Sequence, residues 1–161
     1  MTIQTISQRD HRPQLRALSG VLQDVHRSLI DFSLERYVLA YGVVPSRSEL
    51  LGLLLGDETF AWLGPLSRMI AEIDELAARD VAPTLAEAEE MRARTEALIT
   101  SSEDPNAFGS RYIALLPSEP RVAMNHGELR AAVTLPGSPV AEAGGPGSAP
   151  PSRAASVGPA S

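Results

Sequence analysis

Apolar residues at alternating spacings of three and four dominate the first third of the chain. They form the stripe Leu15, Leu18, Leu22, Val25, Leu29 and Phe32. This spacing places every member on one side of a helix, as in the core positions of a heptad repeat. Pro13 suits a first helical turn and Gly42 a helix end, so the pattern predicts a helix of about 29 residues, roughly 44 Å long. Such a helix is typical of the spine of a bundle or the seam of a dimer.

A capping box predicts the start of a second, short helix. Ser46 and Glu49 have the spacing at which a hydroxyl bonds an orphan backbone N–H and the carboxylate bonds back. Five leucines follow between residues 50 and 55, and Gly56 suits the helix end. Because this helix is apolar on nearly all sides, we expect it to be buried between longer helices.

Four further segments with helical spacing follow. In residues 57–79, Pro65 either separates a short helix from a longer one or kinks a single helix. A second capping box, at Thr84 and Glu87, opens the next helix, and prolines open the last two. No segment sustains the alternation of a β-strand. The sequence therefore predicts an all-α helical bundle of about six helices, with the first as the spine, the third and fourth packed on it, and the others closing it.

Composition divides the chain into three parts. Residues 1–11 are polar and predict a flexible N-terminus, whereas residues 12–135 carry the helical pattern. Residues 136–161 consist mostly of Gly, Pro, Ser and Ala and contain no aromatic residue. Such a segment cannot bury enough apolar area to offset the roughly 1–2 kcal/mol per residue that ordering the backbone costs. We therefore expect one bundle domain followed by a disordered tail.

Charge and composition disfavour several classes of function. The 161 residues include 14 basic and 20 acidic side chains, a net charge of -6, and no cysteine. An acidic chain repels nucleic-acid phosphate, and the missing thiols exclude disulfides and cysteine nucleophiles. The N-terminus lacks a signal-peptide pattern, and the longest apolar run is far shorter than the about 20 residues of a membrane span. We expect a cytoplasmic protein that binds neither nucleic acid nor a membrane.

The sequence contains no recognisable motif for catalysis or metal binding. Its three histidines have no neighbours at metal-ligand spacing, and no serine lies in a nucleophile elbow. Phosphate-binding glycine motifs are also missing. Glu72 and Glu75 lie four residues from Arg68 and Arg79, which predicts ion pairs on a solvated helix face. We therefore predict no catalytic residue, no metal ligand and no cofactor.

Six residues combine polar or aromatic groups with apolar helix faces and are candidates for a pocket or an interface. They are Trp62, Arg36, Tyr37, Arg111, Tyr112 and His126. Core burial is the favoured interpretation of Trp62, with an exposed anchor for a partner as the alternative. For His126 the favoured interpretation is a packed imidazole bonded to a backbone carbonyl. The alternative is a pH-sensitive or ligand-binding imidazole.

The segment around Trp62 has a distinctive order of residues. Residues 57–67 read DETFAWLGPLS, and Ile70 and then Ile-Asp-Glu at 73–75 follow. This pattern, with the stretches 108–112 and 120–126, resembles an uncharacterised family of small all-helical bacterial proteins. The resemblance covers about residues 12–134 and implies a folded domain, but it implies no activity, cofactor or catalytic residue.

Three functional hypotheses remain. The first is a non-enzymatic interaction or regulatory protein, because the long stripe, the acidic stretch 57–104 and the tail offer surfaces for a partner. That partner is an unknown protein or a second copy bound through the stripe of the first helix. The second is a small-ligand-binding protein or an enzyme whose site is assembled from the dispersed candidate residues. DNA binding is the least favoured, because residues 50–55 offer leucines where a reading helix needs polar side chains.

Overall fold

The structure, a computed structural model, describes residues 9–134, and every regular element among them is an α-helix. In chain order the helices are α1 (Arg12–Tyr41), α2 (Arg47–Gly56), α3 (Glu58–Ala61), α4 (Gly64–Ala78), α5 (Leu85–Thr100), α6 (Phe108–Leu115) and α7 (Pro120–Thr134). The all-α class is confirmed. The described part contains seven helices rather than about six, because α3 is a separate turn before α4. The predicted tail, residues 136–161, lies outside the described residues.

Local hydrogen bonds fix the helix ends that the sequence predicted. Both capping boxes are present, at Ser46 with Glu49 and at Thr84 with Glu87. Gly42 has a φ of +70°, and its N–H donates to the carbonyl four residues earlier at 2.8 Å. Residues that carry a side chain rarely adopt this left-handed backbone conformation, so the glycine allows α1 to end there.

The predicted stripe of α1 forms the core of the bundle. Its five residues from Leu15 to Leu29 are at most 2% exposed, with α4 and α7 packed along them. Phe32, predicted to continue the stripe, is only half-buried, and Ser33 takes the buried position instead. The stripe from Leu15 to Leu29 is therefore covered within one chain.

Helix α4 runs antiparallel to the N-terminal half of α1. Ser67, near the start of α4, shares a 2.9 Å hydrogen bond with His26, and Asp74 accepts one from Ser19 at 2.5 Å. Helix α7 lies along the same half, where the Asn125 amide donates to the Asp24 carbonyl at 3.1 Å. The two helices together therefore cover one half of α1.

Two predicted packing arrangements are wrong. Helix α5, the fourth helix predicted from the sequence, has few contacts with α1 and lies against α4, α6 and α7. Helix α7 packs along α1 in its place, beside α4. Helix α2 has no buried residue: it packs on α3 with Leu50, Leu53 and Leu54 half-buried, and it leaves Leu51 and Leu55 exposed. A helix that is apolar all round has no polar side to mark its solvent face, so its sequence did not reveal that only one side is covered.

Ion pairs join α4 to α5 instead of joining successive turns of α4. Glu72 pairs with Arg94 at 2.5 Å, and Arg79 pairs with Glu87. The pairs that the sequence predicted within α4 are not formed, because Glu72 and Arg79 have partners on α5. Hydrogen bonds from Arg79 and from the Thr84 backbone lower the pKa of Glu87 to about 2. Because solvent screens exposed pairs of this kind, they contribute little to stability.

Candidate ligand-binding site

A cavity of about 380 Å³ opens between the C-terminal half of α1, the turn around α3, and α6. Its lining consists of Phe32, Ser33, Arg36, Thr59, Trp62, Arg111, Ala114 and Leu115. Cavities that hold small ligands typically measure about 300–1,000 Å³ and combine apolar walls with a few polar groups. This cavity has both properties, and we call it the arginine cavity.

Trp62 forms an aromatic wall of the arginine cavity. It follows α3 directly and is half-buried, and its ring stacks on Phe108 with centroids 5.6 Å apart and an interplanar angle of 23°. Phe108 in turn stacks on Tyr112 at 5.5 Å and 14°. The sequence favoured full core burial for Trp62, whereas the residue packs at the edge of the core and borders the cavity. Stacking on a buried ring holds this wall in place.

Two guanidinium groups give the arginine cavity its charge. Arg36 of α1 and Arg111 of α6 both line it, and none of the lining residues between positions 9 and 134 is acidic. The guanidinium carbon of Arg36 lies 5.8 Å from the centroid of the Phe32 ring, a cation–π contact. Within residues 9–134 neither arginine forms an ion pair with a carboxylate. The cavity therefore concentrates two positive charges in an acidic chain.

Ser33 is a buried hydroxyl without a partner. The residue is 2% exposed, and among the described residues its Oγ is the one fully buried side-chain polar atom that makes no hydrogen bond. A buried hydroxyl that makes no hydrogen bond typically lowers the free energy of unfolding by about 1–3 kcal/mol. Ser28, also buried on α1, donates instead to the Val25 carbonyl at 2.8 Å. The missing partner is thus specific to Ser33, at the point where α1 borders the cavity.

The other three candidates from the sequence lie outside the arginine cavity. Tyr112 is buried, and its hydroxyl shares a 3.1 Å hydrogen bond with Nδ1 of His126. Burial raises the pKa of Tyr112 and lowers that of His126. Tyr37 packs near Tyr41 and Phe60, with ring centroids 4.6 and 6.4 Å away. His126 therefore bonds a phenol and not the backbone carbonyl that the sequence favoured.

The structure brings three of the six candidates together and adds residues that the sequence did not single out. Trp62, Arg36 and Arg111 meet in one cavity. Ser33 was missed because the predicted stripe continues from Leu29 to Phe32, so nothing in the spacing marked the serine as a buried residue. Its burial follows from the packing around α1, which the sequence pattern does not show.

Charge distinguishes the arginine cavity from three other cavities of the described part. A cavity between α4 and α5 is lined by four glutamates and one arginine. Two cavities along α1 and α7 have either equal numbers of acidic and basic residues or an excess of acidic ones. Within residues 9–134 no three His, Asp or Glu side chains are grouped to hold a metal ion, and no helix has the length and apolar character to span a bilayer.

Known proteins provide no match for this chain. Comparisons with protein-family models, curated proteins and solved structures each find nothing that matches. The resemblance of the chain to a bacterial family stays a prediction. The arginine cavity is therefore the feature from which a function can be proposed.

Proposed function

We propose that this protein binds a small organic anion with an apolar body in the arginine cavity. The observation that carries the proposal is the pair of arginines, Arg36 and Arg111, that line the cavity and that form no ion pair with a carboxylate of residues 9–134. A carboxylate accepts hydrogen bonds from hydroxyl groups and forms paired, charge-assisted bonds with guanidinium groups. Trp62 and Phe32 provide aromatic surface for the rest of the ligand.

Binding without catalysis is the form of the proposal that the lining supports. The arginine cavity contains a serine and a threonine, but no His, Asp or Glu lines it. A serine acts as a nucleophile only when an adjacent base removes its proton, and arginine stays protonated in proteins. A site of this composition suits a protein that senses or carries its ligand, which is the small-ligand-binding form of the second hypothesis from the sequence.

Trp62 makes the proposal directly measurable. It is the only tryptophan of the chain and lines the cavity, so its fluorescence reports on occupation. Titration of the full chain with naphthoate or octanoate should give a saturable fluorescence change, with one ligand per chain by calorimetry. Naphthamide keeps the rings and loses the charge, so it should bind about tenfold more weakly or worse, since hydrogen bonds to charged groups contribute about 1.5–3 kcal/mol.

Arginine variants test the position of the anion. Arg36→Gln and Arg111→Gln each remove one charge and should weaken naphthoate binding about tenfold. Arg27→Gln is the control, because Arg27 lies on the same helix, outside the cavity, and pairs with Asp24. If neither naphthoate nor octanoate binds at millimolar concentration, or if naphthamide binds as well as naphthoate, the proposal is wrong.

Serine variants test whether the Ser33 hydroxyl lacks a partner. Ser33→Ala removes a hydroxyl without a partner, so the free energy of unfolding should stay unchanged or rise by up to about 1 kcal/mol. Ser28→Ala breaks the hydrogen bonds that its hydroxyl makes with the Val25 carbonyl and the Asn125 amide, and it should lower the free energy of unfolding by about 0.5–1.5 kcal/mol or more. Equal losses of stability in the two variants would show that the Ser33 hydroxyl already has a partner.

A further inference from the structure

The C-terminal end of α1 and the helix after it carry most of the exposed apolar side chains of the described part. Ten large hydrophobic residues are exposed between residues 9 and 134, and six of them lie within residues 39–55. The six are Leu39, Tyr41, Val43, Val44, Leu51 and Leu55, with exposed fractions from 59% to 82%. We call this surface the apolar end.

The two segments that carry the apolar end lie at the same end of the molecule. Five residues separate α1 from α2, and even a fully extended link of that length spans only about 20 Å. Helix α2 packs on α3, and Phe60 of α3 lies 6.4 Å from Tyr37 of α1, measured between ring centroids. Both parts of the surface therefore belong to one end of the molecule.

The apolar end is as large as a protein interface. Summed over its six residues, the exposed surface is about 700 Å² at these exposed fractions. One partner in a standard protein–protein interface buries about 800 Å². The area is thus sufficient for a stable pair of chains.

Charge favours a second copy of this chain as the occupant. Residues 39–55 contain one basic and one acidic side chain, Arg47 and Glu49, whereas the whole chain carries a net charge of -6. A strongly charged partner finds no excess charge to pair with here, and a lipid surface finds no basic cluster. Two acidic chains, by contrast, meet least repulsion where their charges cancel.

We infer that two copies of this chain associate through the apolar end in a dimer with two-fold symmetry. Such a dimer buries the same patch on both chains, as closed pairs of identical subunits do. It replaces the stripe of α1, which is buried within each chain, as the surface for self-association. The inference is independent of the ligand proposed for the arginine cavity.

Sedimentation velocity on the full chain tests the dimer. The wild type should shift from monomer to dimer as its concentration rises through the micromolar range. The double variant Leu51→Glu/Leu55→Glu places four carboxylates in the symmetric interface and should raise the dissociation constant about 100-fold or more. The matched control is Val81→Glu/Leu85→Glu, which changes two exposed apolar residues outside the apolar end and should dimerise like the wild type. Circular dichroism confirms that both variants remain helical.

Three outcomes would overturn the inference. A wild type that stays monomeric at high micromolar concentration shows that the surface does not pair. A dimer that survives Leu51→Glu/Leu55→Glu shows that another surface is used. Binding of the monomer to neutral phosphatidylcholine vesicles, lost in the same double variant, would assign the apolar end to a lipid surface instead.

Discussion

The two halves of α1 belong to one continuous helix but have different surroundings. From Leu15 to Leu29 the inward-facing residues are almost fully buried under α4 and α7. Beyond Ser33 no residue of α1 is buried, and Leu39 is 80% exposed. The first half is a packed core, whereas the second half supplies Arg36 to the arginine cavity and Leu39 to the apolar end.

Helix lengths explain this difference. Helix α1 has 30 residues, whereas α4 and α7 have 15 each. At 1.5 Å per residue, α1 is about 45 Å long and its two main partners are about 22 Å long. Both partners lie along the N-terminal half, and of the shorter helices only α3, with four residues, packs on the other half, where Phe60 lies near Tyr37. A helix this short covers it incompletely, and the uncovered parts are the sites that we propose for a ligand and a second copy.

The largest expected effect comes from removing the same side chain in each half. Leu22→Ala in the core should lower the free energy of unfolding by about 2–5 kcal/mol, because it leaves a cavity in packed surroundings. Leu39→Ala should change it by less than about 0.5 kcal/mol, since the residue is exposed. Urea unfolding followed by circular dichroism measures both values. A loss at Leu39 as large as that at Leu22 would show that the second half is covered in solution.

A smaller effect tests the close contact between α6 and the C-terminal end of α5. A Cβ atom at Gly109 of α6 would lie 2.1 Å from the Ser101 carbonyl oxygen and 2.8 Å from that of Leu98. Backbone atoms cannot rotate away, so Gly109→Ala should shift α6 and lower the free energy of unfolding by about 1–3 kcal/mol. Since α6 carries Arg111, naphthoate binding should weaken as well.

Gly127 of α7 provides the matched control for Gly109. A Cβ atom there has no neighbour within 4 Å. Gly127→Ala should therefore raise the free energy of unfolding by about 0.5–1 kcal/mol through helix propensity alone. Thermal and urea unfolding of the two variants give the comparison. Equal changes in both would contradict close backbone contact between α5 and α6.

The helices could be predicted from the sequence because their signals are local. Ser46, Thr84 and Gly42 act on backbone groups within four residues, so spacing alone is enough to place the caps. Which faces of a helix are buried depends instead on the lengths and positions of the neighbouring helices. That is why the leucines of α2 predicted a buried helix, although no helix of residues 9–134 is placed to bury their outer side.

The candidate site was predictable only in part for a similar reason. The rule that selected Arg36, Arg111 and Trp62 also selected Tyr112 and His126, which bond each other. A sequence shows that a polar group adjoins an apolar face, but it does not show the distance between groups on separate helices. Ser33 borders the cavity beside the stripe position Phe32, and the spacing of the stripe did not mark it.

The smallest expected effect is a decrease in stability at mildly acidic pH, to which His26 and His126 both contribute. His26 of α1 bonds Ser67 in the packed half, and His126 bonds Tyr112 beside the aromatic wall of the cavity. Burial lowers the pKa of both imidazoles below 6.5, and Arg130 lowers that of His126 further. Between these lowered values and 6.5 the unfolded chain binds more protons than the folded one. Stability should therefore fall as the pH drops below about 6.5.

Urea unfolding midpoints at neutral pH and near pH 5.5 isolate the histidines from the carboxylates. The pKa of Glu87, lowered from 4.5 to about 2, affects stability only at pH values below that window. His26→Gln should remove the part of the decrease that arises in the packed half, and His126→Gln the part that arises beside the cavity. In the double variant the midpoint should be nearly independent of pH. A wild type without any decrease, or a double variant that keeps it, would show that neither imidazole is desolvated in the folded chain.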